Sequence, residues 1–274
     1  MTSGAGRWLA LGAAALTLVL GGGPAWAQDA AATPADGERR FYGYAYDLKT
    51  DRYLYTEVHR QTVADGRWVG GTIEYFAADG RRIGGKTLDF SDDPFIPTYR
   101  FEMPGLDYVE AITDSRGPIT MRRQKGDRVA TEQLPKREPM CADSGFHSLL
   151  VDRFDALMAG QTVAFRMAVA GSLDAFRFKV RRIDDTRFEG RSAVRFRVDL
   201  DSLLGLLVDP LVLTYDPQTR RLLEYRGLSN VLDPATGDAY VVRIAYYAQT
   251  PPEVAALPPL NPDLSCERAQ SSVC

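Results

Sequence analysis

The residues from Gly80 to Thr87 read GRRIGGKT, which matches the G-x-x-x-x-G-K-[ST] pattern of a phosphate-binding loop. Such a loop needs a buried strand before it and a helix that begins at the Lys-Thr pair, so that backbone N–H groups point at the phosphates. The preceding segment, Thr72–Phe76, mixes Thr and Glu with apolar residues, and Pro94 follows too soon for an amphipathic helix. We therefore interpret Gly80 as a hairpin-turn glycine, predict Lys86 on a solvated strand face, and expect no nucleotide to bind.

Histidine is scarce in this chain, with only His59 in a predicted strand and His147 on a predicted helix. Cys141, Ser144 and Ser148 lie near His147 in sequence, so a nucleophile activated by that imidazole is conceivable, yet nothing in the spacing orients one group at the other. The chain has no G-x-S-x-G, H-E-x-x-H, C-x-x-C or calcium-loop pattern. We predict no catalytic residue, no metal and no cofactor, and keep a hydrolase that uses His147 as an alternative.

Several strands in the second half of the chain have cations at alternate positions, and the positions between them hold aromatic or branched apolar residues. The cations are Arg166, Arg177, Lys179, Arg181, Arg195, Arg197 and Arg243. On adjoining strands they would form one basic face. One interpretation is a solvated face that Asp174, Asp199 and Asp201 balance through cross-strand pairs. The other is a surface for an acidic envelope partner or an anionic head group.

Aromatic residues occupy the apolar phase, and the chain holds 13 Tyr and 12 Phe. In a strongly curved sheet they would form either a solid core or the lining of a cavity wide enough for an acyl chain. The cavity hypothesis names contacts inside the cavity and at its mouth. They are Tyr42, Tyr44, Phe165, Phe178 and Phe196 inside, with Leu206 and Leu207 at the mouth.

Alternation of apolar and polar residues with period two dominates from Arg40 to Thr250 and predicts half-buried antiparallel strands. Within residues 144–159 the apolar residues instead recur at spacings of three and four. This pattern predicts an amphipathic helix of about four turns, which Asp143 or Ser144 would cap and Gly160 would end. The predicted fold class is mainly β: a strongly curved antiparallel sheet, half-barrel or barrel-like, with one major amphipathic helix.

The N-terminus combines Arg7, an apolar run from Trp8 to Leu20, and Ala25-Trp26-Ala27, as a secretory signal peptide does. We expect a soluble, exported, periplasmic protein. Its predicted parts are a signal peptide (1–27), a flexible segment (28–39), a single curved β domain (40–250) and a proline-rich tail (251–274).

A net charge of −3 provides no general attraction to nucleic acid, so none is expected as a partner. Three cysteines in an exported chain suggest one disulfide and one leftover thiol. The candidates are Cys141, Cys266 and Cys274, and the sequence leaves their pairing open.

The arrangement of three segments in the second half of the chain resembles known exported proteins. These segments are a helix over Gly145–Gly160, the run YDPQTRRLLEYRGLSN at 215–230, and a strand over Tyr240–Tyr247. It resembles the broad class of periplasmic half-barrel proteins that includes the Lol lipoprotein carriers, over roughly half of the mature chain and in architecture alone. In that class a curved antiparallel sheet is covered by helices, and its concave face receives acyl chains. This chain departs from the class in showing one long helix where a carrier would use several.

The resemblance and the aromatic strands together predict a non-catalytic protein that binds or carries an apolar or amphiphilic envelope molecule, such as a lipid or the acyl chain of a lipoprotein. The alternative is a periplasmic scaffold that binds a protein partner through the basic face.

Overall fold

The computed structural model describes residues 36–201, 209–255 and 257–258, which form one sheet and two short helices. The strands of the first half are β1 (Gly37–Asp47), β2 (Tyr53–Ala64), β3 (Arg67–Ala77), β4 (Arg82–Asp89), β5 (Thr98–Met103), β6 (Tyr108–Asp114), β7 (Ile119–Lys125) and β8 (Arg128–Leu134). Those of the second half are β9 (Met140–Ala142), β10 (Val163–Val169), β11 (Asp174–Phe188), β12 (Arg191–Leu200), β13 (Leu211–Tyr215), β14 (Leu222–Leu232) and β15 (Ala239–Ala245). The helices are α1 (Gly145–Asp152) and α2 (Phe154–Met158), and a 3₁₀ turn spans Pro104–Leu106.

The strands lie in the order β8-β7-β6-β5-β4-β3-β2-β1-β15-β14-β13-β12-β11-β10-β9. Two antiparallel meanders are therefore joined where β1 pairs with β15, with Ala45 opposite Ile244. The short strand β9 is parallel to β10, whereas the other pairs are antiparallel. The predicted fold class, mainly β with a strongly curved antiparallel sheet, is confirmed. In the described part of the chain, no helix has the length and apolar character needed to cross a membrane.

The sheet curves so strongly that its last two strands, β9 and β10, pack against the concave face of the strands of the first half. Met140 and Ala168 pack in a first core, which contains the inward side chains of β2–β7. Cys141 and Phe165, on the other face of the same two strands, pack in a second core with α1, α2 and β11–β13. β9 and β10 therefore separate two cores. Within the described residues, the two edge strands β8 and β9 do not pair with each other, so the sheet stays open.

The predicted helix over residues 144–159 is divided in two at Arg153, whose ψ is 8°. The i to i−4 bonds continue across the break, because Arg153 N donates to Leu149 O and Leu157 N donates to Arg153 O. Phe154 and Leu157 thereby stay buried in the second core. Gly160 follows the helix with φ +81°, the left-handed conformation that glycine adopts most readily, as predicted.

Ser144 occupies the N-cap position of α1, as predicted, but it makes no side-chain cap bond, since its Oγ donates to Asp143 Oδ1 instead. The turn prediction at Gly80 is confirmed, with φ +82° and a bond from its N–H to Ala77 O. The predicted signal peptide, the mouth residues Leu206 and Leu207, and Cys266 and Cys274 lie outside the described residues.

Candidate functional site

The predicted cavity residues fall into two groups on opposite faces of the sheet. Phe165, Phe178 and Phe196 share the concave face and contribute to the second core. Tyr42 and Tyr44 lie on the convex face of β1, away from both cores. The structure therefore brings three of the five described candidates together and places the two tyrosines elsewhere.

The C-terminal segment covers the convex face of β1. Tyr42 Oη donates to Pro258 O at 2.7 Å, and Tyr44 Oη donates to Thr250 Oγ1 at 2.9 Å. Tyr46 Oη donates to a Glu253 carboxylate oxygen at 2.9 Å. These bonds explain why Tyr44 is only 1% exposed although it points away from the concave side.

Three phenylalanines form an aromatic ladder, defined here as Phe146, Phe165 and Phe178. The rings of Phe146 and Phe165 stack at 5.3 Å with an interplanar angle of 23°, and those of Phe165 and Phe178 stack at 5.7 Å and 20°. The middle ring is buried, whereas the outer two, on α1 and β11, are half-buried. Phe178 also lies opposite Leu200, near the end of β12. The ladder thus runs from a half-buried ring on α1 through a buried ring in the second core to a half-buried ring on β11.

Phe196 belongs to the solid part of the second core. It is fully buried, and its ring lies 5.4 Å from that of Phe154 and 5.6 Å from that of Tyr215. Neighbouring rings therefore fill the space around this side chain.

Lys86, predicted on a solvated face, is buried instead. Its Nζ donates to Asp143 Oδ2 at 2.5 Å, and the two side chains are 3% and 5% exposed. The same Nζ lies 5.4 Å from the centre of the Phe101 ring and 5.5 Å from that of Tyr99. The prediction failed because Lys86 shares its alternation phase with Leu88, which faces the first core.

Glu110 forms a second buried polar group in the first core. One carboxylate oxygen accepts from Tyr108 Oη at 2.7 Å, and the other accepts from Tyr99 Oη at 3.2 Å. Burial raises the pKa of the Glu110 carboxyl, while the tyrosine bonds and the nearby Lys86 act in the opposite direction. A Cβ on Gly171 would lie 2.4 Å from Glu110 Oε2, so the turn after β10 closes tightly over this carboxyl.

Glu57 and His59 form a third polar pair on the concave face. His59 Nε2 lies 2.9 Å from Glu57 Oε2, and the His59 ring stacks on Phe41 at 4.5 Å. His59 Nδ1 is buried and has no hydrogen-bond partner among the described residues.

The residues considered for nucleophilic chemistry are not assembled into a catalytic site. His147 Nδ1 lies 3.0 Å from Tyr215 Oη, and the two rings are parallel. Burial lowers the pKa of His147 to about 4 and raises that of the Cys141 thiol well above its usual value. In the described part of the chain, no side-chain hydrogen bond joins the His147 imidazole to the Cys141 thiol or to the hydroxyls of Ser144 and Ser148. A nucleophile needs an adjacent base to be activated, and this geometry does not provide one.

The predicted basic face follows the strand register. Arg166 lies opposite Arg177, Lys179 opposite Asp199, and Arg181 opposite Arg197. The register also places Arg226, which the sequence reasoning missed, opposite Arg243. Ion pairs to acidic neighbours engage most of these cations: Arg177 and Lys179 with Asp201, Arg195 with Asp184, Arg197 with Asp199, Arg226 with Glu224, and Arg243 with Asp51 and Glu224. Within the described residues, Arg166 and Arg181 have no such ion pair.

The chain is similar in fold to a solved structure. No family model matches the chain, and no curated protein matches it. A solved structure described as a beta-barrel-like protein of domain of unknown function DUF1849 from Brucella abortus is similar, with a TM-score of 0.46 and 7% sequence identity. The similarity covers 77% of this chain and 98% of that one.

Proposed function

We propose that this protein is a non-catalytic, exported carrier or binding protein for an amphiphilic envelope molecule, whose acyl chain lies along the aromatic ladder. The observation that carries the proposal is the ladder itself. Phe146, Phe165 and Phe178 offer three stacked rings, and the stack continues from the buried interior to half-buried rings at its ends. An acyl chain on these rings would remove apolar surface from water, which is favourable by about 25 cal/mol per Å².

The surroundings of the ladder suit a flexible apolar ligand. Val163, Met158 and Met167 are partly buried against the same core. Methionine side chains adapt to irregular apolar surfaces, and so suit ligands of varied chain length. The His147 imidazole is paired with Tyr215 and not with Cys141, Ser144 or Ser148, which favours binding over catalysis by these residues.

The proposal is tested with dodecanoate and a single-chain phospholipid as probes. Phe178→Arg places a charge at one end of the ladder and is expected to weaken binding at least tenfold in isothermal titration. Leu228→Arg is the matched control, because Leu228 is 57% exposed and lies outside the ladder. Equal binding by wild type, Phe178→Arg and Leu228→Arg would contradict the proposal, as would the absence of binding by the wild type.

A second candidate function is a scaffold that binds an acidic protein partner through the basic face. It is favoured by Arg166 and Arg181, whose guanidinium groups make no ion pair with any described residue and so keep N–H donors for a partner. Replacing Arg166 and Arg181 together with Ser would abolish capture of such a partner and leave dodecanoate binding intact. Unchanged capture would refute this candidate.

A further inference from the structure

The convex face of strands β2 to β5 carries a groove of about 440 Å³. It lies on the side of the sheet opposite the first core, because its polar side chains alternate along β3 and β4 with those of Ile73 and Lys86, which face that core. The groove is distinct from the aromatic ladder and from the basic face, which both belong to the second half of the chain. Its volume is within the range of sites that bind small molecules.

The strand register sets the order of the groove residues. Arg60 lies opposite Thr72, Thr72 opposite Thr87, and Thr87 opposite Arg100. One row across four strands thus has a guanidinium at each end and two hydroxyls between them. With neighbouring strands about 4.8 Å apart, this row spans roughly 14 Å.

A glycine forms the floor of the adjacent row. Gly85 lies between Glu74 on β3 and Glu102 on β5. A Cβ on Gly85 would be 2.4 Å from Arg82 Nη2, so the guanidinium of Arg82 lies directly over the glycine. The missing side chain at Gly85 therefore lets the Arg82 guanidinium lie close to the sheet at the bottom of the groove.

The two glutamates fix the three guanidinium groups. Glu74 accepts from Arg60 Nη1 at 2.6 Å and from Arg82 Nε at 3.1 Å, and Glu102 accepts from Arg100 Nη2 at 3.1 Å. Each arginine has five N–H donors, so each retains donors that these bonds do not use. Among the described residues, the hydroxyls of Thr72 and Thr87 make no hydrogen bond.

We propose that this groove binds an acidic sugar that carries one negative charge. The lining also includes Lys86, whose charge Asp143 balances on the other side of the sheet. Three arginines against two glutamates then leave a formal charge of +1, which matches a single carboxylate and disfavours a multiply charged phosphate group. Free threonine hydroxyls and spare carboxylate acceptors suit the hydroxyls of a sugar. The spare guanidinium donors suit a carboxylate, to which arginine binds in a bidentate manner.

The test compares two disaccharides that differ in one group. Cellobiouronic acid carries a single carboxylate, and cellobiose is its neutral counterpart. In isothermal titration the acidic disaccharide is expected to bind at least about tenfold more tightly, as one charge-assisted bond implies. The variants Arg60→Gln and Arg100→Gln are each expected to remove about tenfold of that affinity.

Arg197→Gln is the matched control, because it removes an ion-paired arginine from the basic face, outside the groove. Inorganic phosphate is the competing probe. The proposal is overturned if both disaccharides bind equally or not at all, if Arg60→Gln and Arg100→Gln bind like Arg197→Gln, or if phosphate binds more tightly than the acidic disaccharide. Dodecanoate binding at the ladder is expected to be unchanged in all three variants, so this test stands apart from the proposed carrier function.

Discussion

Removing the charge of Lys86 should destabilise the protein strongly. Lys86 and Asp143 are almost completely shielded from water, and breaking a buried pair by removing one partner typically costs 3–5 kcal/mol. In Lys86→Met, the Asp143 carboxylate would still accept from Ser144 N at 2.6 Å and from Asn230 Nδ2 at 3.1 Å. We therefore expect a loss at the lower end of that range, about 3 kcal/mol of the free energy of unfolding.

The assay is equilibrium unfolding in urea, in which this loss lowers the midpoint by about 1 M if the slope is about 3 kcal/mol/M. The double variant Lys86→Met/Asp143→Asn should cost less than the sum of the single variants by at least about 1 kcal/mol, because it leaves no unpaired charge. Lys179→Met is the control. Its exposed side chain lies 3.7 Å from Asp201, and its removal should cost less than about 1 kcal/mol. A cost below about 1 kcal/mol for Lys86→Met, with additive single variants, would refute a buried, coupled pair.

Two further predictions concern His147 and Gly171. Because the pKa of His147 is about 4 in the fold and about 6.5 in the unfolded chain, the unfolded state binds the proton first as pH falls. Stability is then full above about pH 6.5 and is lost towards pH 4, so lowering the pH from 7.5 to 5 should cost wild type about 2 kcal/mol more than His147→Gln in urea unfolding. Equal losses would disprove this assignment. Gly171→Ala forces a Cβ to within 2.4 Å of Glu110 Oε2 and should cost about 1–3 kcal/mol, whereas Gly117→Ala, with open space around its Cβ, should change thermal stability little. Similar melting temperatures for the two glycine variants would contradict the close contact.

The strands and their faces could be predicted because side chains alternate with period two. The same alternation also indicates that Lys86 and Glu110 are buried, which the sequence analysis did not predict. Lys86 shares the phase of Leu88, and Glu110 shares that of Ile112, so each polar residue stands in an apolar row. Their burial became interpretable only with their partners, since Asp143 is 57 positions from Lys86 in the chain. Sequence spacing cannot reveal a contact that the curvature of the sheet creates.

The tyrosines of β1 show a different limit. Their alternation correctly indicates one apolar face on this strand, and a cavity lining was the natural interpretation. The structure instead covers that face with the C-terminal segment, where Thr250, Glu253 and Pro258 accept the hydroxyl hydrogens of Tyr44, Tyr46 and Tyr42. A period of two identifies a covered face, but it does not identify what covers it. Phe165 and Phe178 of the ladder were predicted together because β10 and β11 are adjacent in the chain and pair directly. Phe146 was not among the predicted cavity residues, because it lies on α1 and only the packing of that helix on β10 brings it to Phe165.

The central claim, that an amphiphile occupies the aromatic ladder, is tested most directly by gentle native mass spectrometry of protein purified from its own export compartment. The account predicts a bound lipid or other amphiphile at about one per chain, which organic extraction releases and which Phe178→Arg protein lacks. An unliganded mass that takes up neither dodecanoate nor phospholipid would contradict the account.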